Sequence, residues 1–342
     1  MVLVECVPNF SEGRRADVIA QIAARLGEVP GAHLLDIEAG AAVNRTVMTV
    51  VGTPDAVAEA LFRAMDEAAR RIDMRQQRGE HPRIGATDVC PFVPLAGITL
   101  AECAAVATRF AARVGAELGI PCYLYGSAAR QPERRELATV RRGGYEALAA
   151  RMVQPCGQPD FGPATGLPPW GATAIGARAP LIAYNVNLAT RDRVLARAIA
   201  CEVRENRSSP GGGLPGCRAL GWYIAEYGCC QVTVNVLRYR EAGLDRIFAR
   251  VQELALARGV RVSGSEIVGL TPKAALLGPG WRARRGARGE GWRAAAAEEG
   301  PLLRAAVAAL GLDQLRPFDP ARKVLEYRLA EVLGGAMPQV DL

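Results

Sequence analysis

The chain has 342 residues, of which 50% are hydrophobic and 23% charged, and its formal net charge is +7. This balance is typical of a globular protein and excludes a disordered one, and every apolar run is interrupted well before the roughly 18 residues that a membrane span needs. The basic excess favours an anionic partner, either nucleic acid or a small polycarboxylate or phosphate ligand.

The N-terminal residues and the cysteines predict a cytoplasmic protein. Residues Met1–Phe10 carry no basic leader and already have the pattern of a strand, so we expect neither a secretory signal nor a transit peptide. The nine cysteines are scattered from Cys6 to Cys230 without a Cys-x-x-Cys pair. They predict reduced thiols rather than a disulfide framework or a zinc knuckle.

The first half of the chain predicts the element order βαββαβ. Strand patterns and helical patterns alternate, Thr53 and Pro54 form a helix start, and Pro91 and Pro94 favour an edge position for the fourth strand. A further helix, a further strand and a Pro/Gly-rich link follow. The predicted ranges are strand 3–9, a helix through 18–26, strands 33–38 and 45–52, a helix from 54, strand 87–95, helix 99–118, strand 121–126 and link 154–176.

The second half repeats this order. The predicted ranges are strand 181–188, a helix capped by Thr190, strands 218–226 and 231–239, a helix through 244–254 and strand 260–270. Two βαββαβ units predict the α+β class, as two ferredoxin-like α/β sandwich subdomains with a C-terminal helical or irregular appendage. We place the subdomains at 1–178 and 179–330 and a tail at 331–342.

Five arginines lie between Gly278 and Arg293. Such a segment either grips a polyanion or forms a solvated surface loop, and the second interpretation is favoured.

The split βαβ topology predicts where polar residues meet. With the strand order 4-1-3-2, the end of the first strand near Asn9, the hairpin from Asp36 to Arg45 and the entry to the fourth strand from His81 to Asp88 share one sheet edge. Asp36 and Glu38 lie two apart on a strand and therefore point to the same face. A mixed-charge pocket is expected there.

His81 is the candidate acid–base residue. It lies between glycines in Gly79-Glu-His-Pro-Arg-Ile-Gly85, and histidine is the side chain that ordinarily titrates near neutral pH, with a pKa of about 6.5. The chain has no phosphate-binding loop, no dinucleotide fingerprint after a strand, no Gly-x-Ser-x-Gly elbow and no metal-ligand spacing. Catalysis is therefore expected to be metal-free.

Seven motifs in order resemble the glutamate formimidoyltransferase family, the transferase half of formimidoyltransferase-cyclodeaminase, over residues 1–330. They are Val4-Glu-Cys-Val-Pro-Asn-Phe-Ser-Glu-Gly13, Asn44-Arg-Thr46, Gly79-Glu-His-Pro-Arg83, Asp88-Val-Cys-Pro-Phe92, Tyr123-Leu-Tyr-Gly126, Pro159-Asp-Phe-Gly-Pro163 and Trp170-Gly-Ala-Thr173.

The resemblance implies transfer of a formimino group from N-formimino-L-glutamate to N5 of tetrahydrofolate, a step of histidine breakdown, by a homodimer. It implies that His81 is catalytic. It also implies that tetrahydrofolate, as co-substrate, binds at Gly162, Pro163, Ala164, Thr165, Gly166, Leu167, Pro168, Pro169, Trp170 and Gly171. Without the family, that segment would be interpreted as a rigid linker.

The reaction suits the charged residues of the pocket. We expect His81 to take a proton from N5 and return it to the leaving glutamate amine. Asp36 and Glu38 are candidates for holding the cationic amidine, and Arg45 or Arg83 for pairing with substrate carboxylates, while Asn44 begins the strand beside them.

Two departures keep alternatives open. Where the family has Asp-x-Asp, this chain has Asp36-Ile-Glu38, and the arginine-rich segment also differs. The chain ends at Leu342 without a second catalytic domain, so a transferase without cyclodeaminase activity is expected. The alternatives are a folate enzyme that uses 5-formyltetrahydrofolate or another formimino donor, and an inactive folate-binding protein. An RNA-binding module is disfavoured by the 6% aromatic content.

Overall fold

The predicted α+β class is confirmed by a computed structural model, which describes residues 1–206, 213–279 and 299–334. The chain divides into two units, Met1–Pro180 and a second that begins at Leu181. Most of the arginine-rich segment, from residue 280 to 293, and the end of the predicted tail lie outside the described residues.

The first unit is built on a seven-stranded sheet that contains the predicted order 4-1-3-2. The first predicted strand is interrupted at Val7 and Pro8, and both of its pieces, β1 and β2, pair antiparallel with β4 (Arg45–Gly52) and β5 (Thr87–Ala96). The sheet order is therefore β3, β4, β1 with β2, β5, β7 and β6. The strands are β1 Leu3–Cys6, β2 Asn9–Phe10, β3 Ala32–Gly40, β4 Arg45–Gly52, β5 Thr87–Ala96, β6 Cys122–Gly126 and β7 Thr173–Ala177.

Two expectations about this sheet are wrong. β5 is an interior strand, because β7 pairs parallel to it on the side away from β1. Pro91 still takes part in the sheet, because its carbonyl accepts from the Val7 amide at 3.4 Å, and the strand pairing beside Pro94 is irregular. β7 overlaps the end of the predicted Pro/Gly-rich link, and its residues are buried between β5 and β6.

Three long helices cover one face of this sheet. They are α1 Ala16–Gly27, α2 Pro54–Arg71 and α3 Leu100–Glu117. Their apolar stripes, which include Ile22, Leu61 and Phe110, form one core with the sheet. Thr53 caps α2 as predicted, since its hydroxyl accepts from the Ala56 amide.

Two short helices cover part of the opposite face. They are α4 Leu137–Val140 and α5 Leu148–Met152. Val140, Leu148 and Met152 pack in a second cluster with Tyr123 and Tyr125 of β6. This places the residues that follow α4 on the same face as the polar residues of β4 and β5.

The second unit has the predicted order 4-1-3-2 as well, observed as β11 (Val262–Val268), β8 (Ile182–Leu188), β10 (Cys229–Val236) and β9 (Cys217–Ile224). The N-cap of its first helix is Asp192 rather than Thr190, because the Asp192 carboxylate accepts from the Val194 and Leu195 amides at 2.8 and 3.1 Å. The elements are β8 Ile182–Leu188, α6 Arg193–Val203, β9 Cys217–Ile224, β10 Cys229–Val236, α7 Leu244–Leu256 and β11 Val262–Val268.

The predicted appendage is helical and belongs to the core of the second unit. Helices Glu299–Leu310, Pro320–Lys323 and Leu325–Val332 follow β11. Leu303 and Leu310 are buried in the same cluster as the sheet. Within the described ranges, no helix is both long enough and apolar enough to cross a membrane.

Candidate active site

The carboxylate of Asp88 lies at the centre of the polar cluster in the first unit. Asp88 Oδ2 is 2.7 Å from Arg45 Nη1 and 2.5 Å from Arg141 Nη2, and Asp88 Oδ1 accepts from the Ile84 amide at 2.9 Å. Arg45 Nε also donates to Asn9 Oδ1 at 2.8 Å. The first strand, the hairpin and the entry to the fourth strand therefore meet, as the topology predicts.

The cluster carries an excess of positive charge. Burial by itself would raise the pKa of Asp88, but the guanidinium groups of Arg141 and Arg45 outweigh it and hold the pKa at about 2. Burial lowers the pKa of Arg45 to about 10, and the charge of Arg141 acts in the same direction. At neutral pH one carboxylate thus faces two guanidinium groups, which favours an anionic ligand.

His81 stands in the field of this cluster. Its pKa is lowered well below 6.5, because burial and the charges of Arg45 and Arg141 disfavour the imidazolium, against the weaker opposing effect of Asp88. The expectation of an ordinary pKa is therefore wrong. His81 Nδ1 is 2.8 Å from the Pro82 carbonyl oxygen. A carbonyl only accepts, so Nδ1 carries the proton and Nε2 has the basic lone pair in the neutral ring.

The loop that bears His81 is anchored from three directions. Ser11 Oγ donates to the Gly85 carbonyl at 2.7 Å, Asn44 Nδ2 donates to the Arg78 carbonyl at 2.9 Å, and Gln77 Nε2 donates to the Asn44 carbonyl at 3.0 Å. Asn44 Oδ1 also accepts from the Gly13 amide. In the structure, the side chain of Asn44 thus positions the loop, and its predicted contact with substrate stays a prediction.

Arg83 is held by neighbours on both sides. Arg83 Nη1 and Nη2 donate to the two carboxylate oxygens of Glu146 at 2.8 and 2.7 Å, and Arg83 Nε donates to Gln77 Oε1 at 2.7 Å. Bidentate pairing of this kind fixes a guanidinium in place. To bind a substrate carboxylate, as predicted, Arg83 would have to share or release Glu146.

Asp36 and Glu38 lie on the face of β3 that carries the site. The register places Glu38 opposite Val47 and Val47 opposite Asn9, and directly paired residues project from the same side of a sheet. Glu38 is buried and Asp36 is half-buried. Both carboxylates therefore share the face of Asn9 and Arg45, and their predicted role with the amidine stays a prediction.

The candidate folate segment is joined to the His81 loop. Gly85 and Gly171 form an antiparallel bridge, the Ala86 amide donates to the Trp170 carbonyl at 2.8 Å, and the Ala172 amide donates to the Ile84 carbonyl at 2.9 Å. Residues 164–166 of the segment are exposed, and Trp170 Nε1 is a buried donor without a hydrogen-bond partner. Two sites predicted from distant parts of the sequence thus adjoin each other.

We expect Gly85→Ala to destabilise the protein by roughly 1–3 kcal/mol and to lower activity, because a Cβ at Gly85 would lie 1.9 Å from the Ala172 carbonyl oxygen. This clash would force the His81 loop and the folate segment apart. Thermal unfolding and turnover measure the two effects. Gly27→Ala is the control, since a Cβ there meets nothing within 4 Å. A Gly85→Ala protein as stable and active as wild type would contradict this close approach.

Three partners in the site have no assigned role in the sequence analysis. Asp88 stands in a motif that marks the family, but the pattern does not show that its carboxylate binds two arginines. Arg141 and Glu146 belong to the irregular stretch after β6, where neither periodicity nor a motif indicates a site. They reach Asp88 and Arg83 because this stretch folds over the face of the sheet that α4 and α5 partly cover.

The geometry defines a class of enzyme. A histidine that is uncharged at neutral pH, in the electrostatic field of a buried cluster of two arginines and one aspartate, is suited to acid–base group transfer on an anionic substrate. In the parts of the chain that the structure describes, there is no group of three or more His, Cys, Asp or Glu side chains arranged to hold a metal ion.

Comparison with known proteins identifies the family. Residues 3–178 match the formiminotransferase domain, N-terminal subdomain, and residues 183–330 match the formiminotransferase domain. The chain therefore belongs to the formiminotransferase family, as its motifs indicate.

Named relatives cover most of the chain. It is 42% identical to the glutamate formimidoyltransferase of Streptococcus pyogenes serotype M1 over 80% of this chain and 91% of that protein. It is 44% identical to the formimidoyltransferase-cyclodeaminase of Gallus gallus over 95% of this chain. The match spans 59% of that longer relative.

Proposed function

We propose that the protein is a glutamate formimidoyltransferase, which transfers the formimino group of N-formimino-L-glutamate to N5 of tetrahydrofolate in histidine degradation. Family membership and the relative from Streptococcus pyogenes serotype M1, which is named for this activity, support the proposal. The observation that carries it is the position of a base-competent His81 beside the net-positive cluster and next to the candidate folate segment.

The reaction requires the transfer of one proton from folate N5 to the glutamate nitrogen. A bond forms between folate N5 and the formimino carbon, the bond from that carbon to the glutamate nitrogen breaks, and nothing is oxidised or reduced. N5 loses the proton that the glutamate amine gains. His81 Nε2 is suited to accept the first proton and to supply the second, since Nδ1 is turned to the Pro82 carbonyl.

Two observations support binding of the folate co-substrate at the segment from Gly162 to Gly171. The indole N–H of Trp170 is buried without a partner, and an unsatisfied buried donor is costly unless a ligand satisfies it. The neighbouring residues 164–166 are exposed and accessible. A pterin or amide oxygen is the kind of acceptor that would complete this donor.

The test is to mix the purified protein with tetrahydrofolate and N-formimino-L-glutamate. Release of glutamate that depends on folate, together with the methenyl-folate chromophore after acid treatment, is the expected result. A parallel set with 5-formyltetrahydrofolate and other formimino donors identifies a different donor. Saturable folate binding without turnover of any donor would show a binding protein and would overturn the proposal.

We expect kcat/KM to stay level as the pH falls to about 6.5, the ordinary histidine value, and to decline only in more acidic buffer. The reason is that His81 acts as the neutral base and its pKa is lowered well below 6.5. Protonation therefore inactivates the base only at a pH well below 6.5. Initial rates at subsaturating donor across this range measure the profile. A decline centred at or above pH 6.5 would contradict the assignment.

Three further properties belong to the proposal. The nine cysteines are all free, which fits a reducing compartment such as the cytoplasm. The proton transfer described above needs no metal ion. A homodimer is the expected assembly, and sedimentation would measure it.

A further inference from the structure

The three arginines of the candidate site differ in how their donors are used. Arg83 makes four hydrogen bonds, to both oxygens of Glu146 and to the side chain and carbonyl of Gln77. Arg45 is divided between Asn9 and Asp88 and is 6% exposed. Both guanidinium groups are thus tied on more than one side by the protein itself.

Arg141 differs from these two arginines because one of its donors has no hydrogen-bond partner. It follows α4 directly, its Nη2 reaches Asp88 Oδ2, and its side chain is 13% exposed. Its Nε is buried without a hydrogen-bond partner. A buried charged donor that is left unpaired is unfavourable, so this N–H is a vacant position for an acceptor that arrives with a ligand.

The charge around Arg141 points to an anion. Asp88 supplies one negative charge, and its other oxygen already accepts from the Ile84 amide. Arg45 and Arg141 supply two positive charges, so these three side chains together carry one net positive charge. The charge of Arg141 also lowers the pKa of His81, the residue to which the proposed function assigns the proton transfer.

We propose that Arg141 binds a glutamate carboxylate through Nε while Asp88 holds its guanidinium in place. The inference rests on the proposed function, which supplies two sources of that carboxylate, the formimino donor and the glutamyl tail of the folate. Guanidinium and carboxylate form short, directional, charge-assisted hydrogen bonds. Arg141 is therefore a specificity-determining residue, and Asp88 a positioning residue that acts through it.

The test compares Arg141→Gln with Arg142→Gln. The control removes the same charge from the next residue, which is exposed. For Arg141→Gln we expect the KM of one substrate to rise by roughly 10- to 100-fold with kcat little changed, the pattern of lost ground-state binding. A rise confined to N-formimino-L-glutamate assigns the carboxylate to the donor, and a rise confined to tetrahydrofolate assigns it to the folate tail. Arg141→Lys should recover only part of the loss.

Calorimetry with glutamate and with folate separates this inference from the proposed function. If wild type binds either ligand but does not transfer the formimino group, and Arg141→Gln weakens that binding, the inference stands and the proposed function fails. If transfer is intact and Arg141→Gln leaves both KM values and both affinities as in Arg142→Gln, the inference is overturned and the proposed function stands.

Discussion

Replacing His81 with alanine is expected to lower the turnover number of formimino transfer by roughly 10²- to 10⁴-fold, the usual contribution of a general acid–base residue. The folate affinity should change little, because the folate segment is joined to this loop through backbone atoms of residues 84–86 rather than through the imidazole. Steady-state kinetics for turnover and calorimetry for folate binding measure the two quantities separately.

Added imidazole provides a readout that a purely structural role would not move. If His81 carries the proton, free imidazole should restore part of the activity of His81→Ala, and the recovered rate should follow the concentration of the neutral form. Glu80→Gln is the control, since Glu80 is the exposed neighbour in the same loop. A His81→Ala protein that keeps its turnover number and loses only folate saturation would contradict the proton-transfer role.

The sheet topology was predictable because it depends on periodic patterns. Strands and amphipathic helices differ in the spacing of their apolar residues, and two βαββαβ orders leave few arrangements. β7 was not predicted as a strand because Thr173–Ala177 is short, consists mostly of small residues and follows a stretch rich in proline and glycine. Its pairing with β5 then moved β5 from the predicted edge to the interior.

The candidate site was predictable only in part. The topology brought Asn9, Arg45 and Asp88 together, because strand ends meet wherever the order 4-1-3-2 holds. It could not show Arg141, which reaches Asp88 from an irregular stretch 53 residues away in sequence. Nor could it show the lowered pKa of His81, which comes from burial and from the charges of Arg45 and Arg141. Long-range side-chain contacts of this kind leave no local pattern.

Asp88→Asn is expected to lower the free energy of unfolding by roughly 3–5 kcal/mol, the usual cost of removing one partner of a buried ion pair. The Asp88 side chain is completely buried and that of Arg45 nearly so, so the two guanidinium groups would repel each other with little water to screen them. Chemical denaturation followed by circular dichroism measures the loss. Asp66→Asn is the matched control, because its pair with Arg70 is exposed and worth at most about 0.5 kcal/mol.

The acid dependence of stability tests the same pair independently. The pKa of Asp88 is lowered from 3.8 to about 2 in the folded protein, so its ionised form contributes stability that is fully present above pH 3.8 and is lost as the pH falls toward 2. The Asp88→Asn variant has no titratable carboxyl group at this position, so this contribution to the pH dependence is missing from it. The difference in unfolding free energy between wild type and variant should therefore be constant above this window and shrink within it. A difference that stays the same down to pH 2 would show that the lost stability comes from packing rather than from the charge of Asp88.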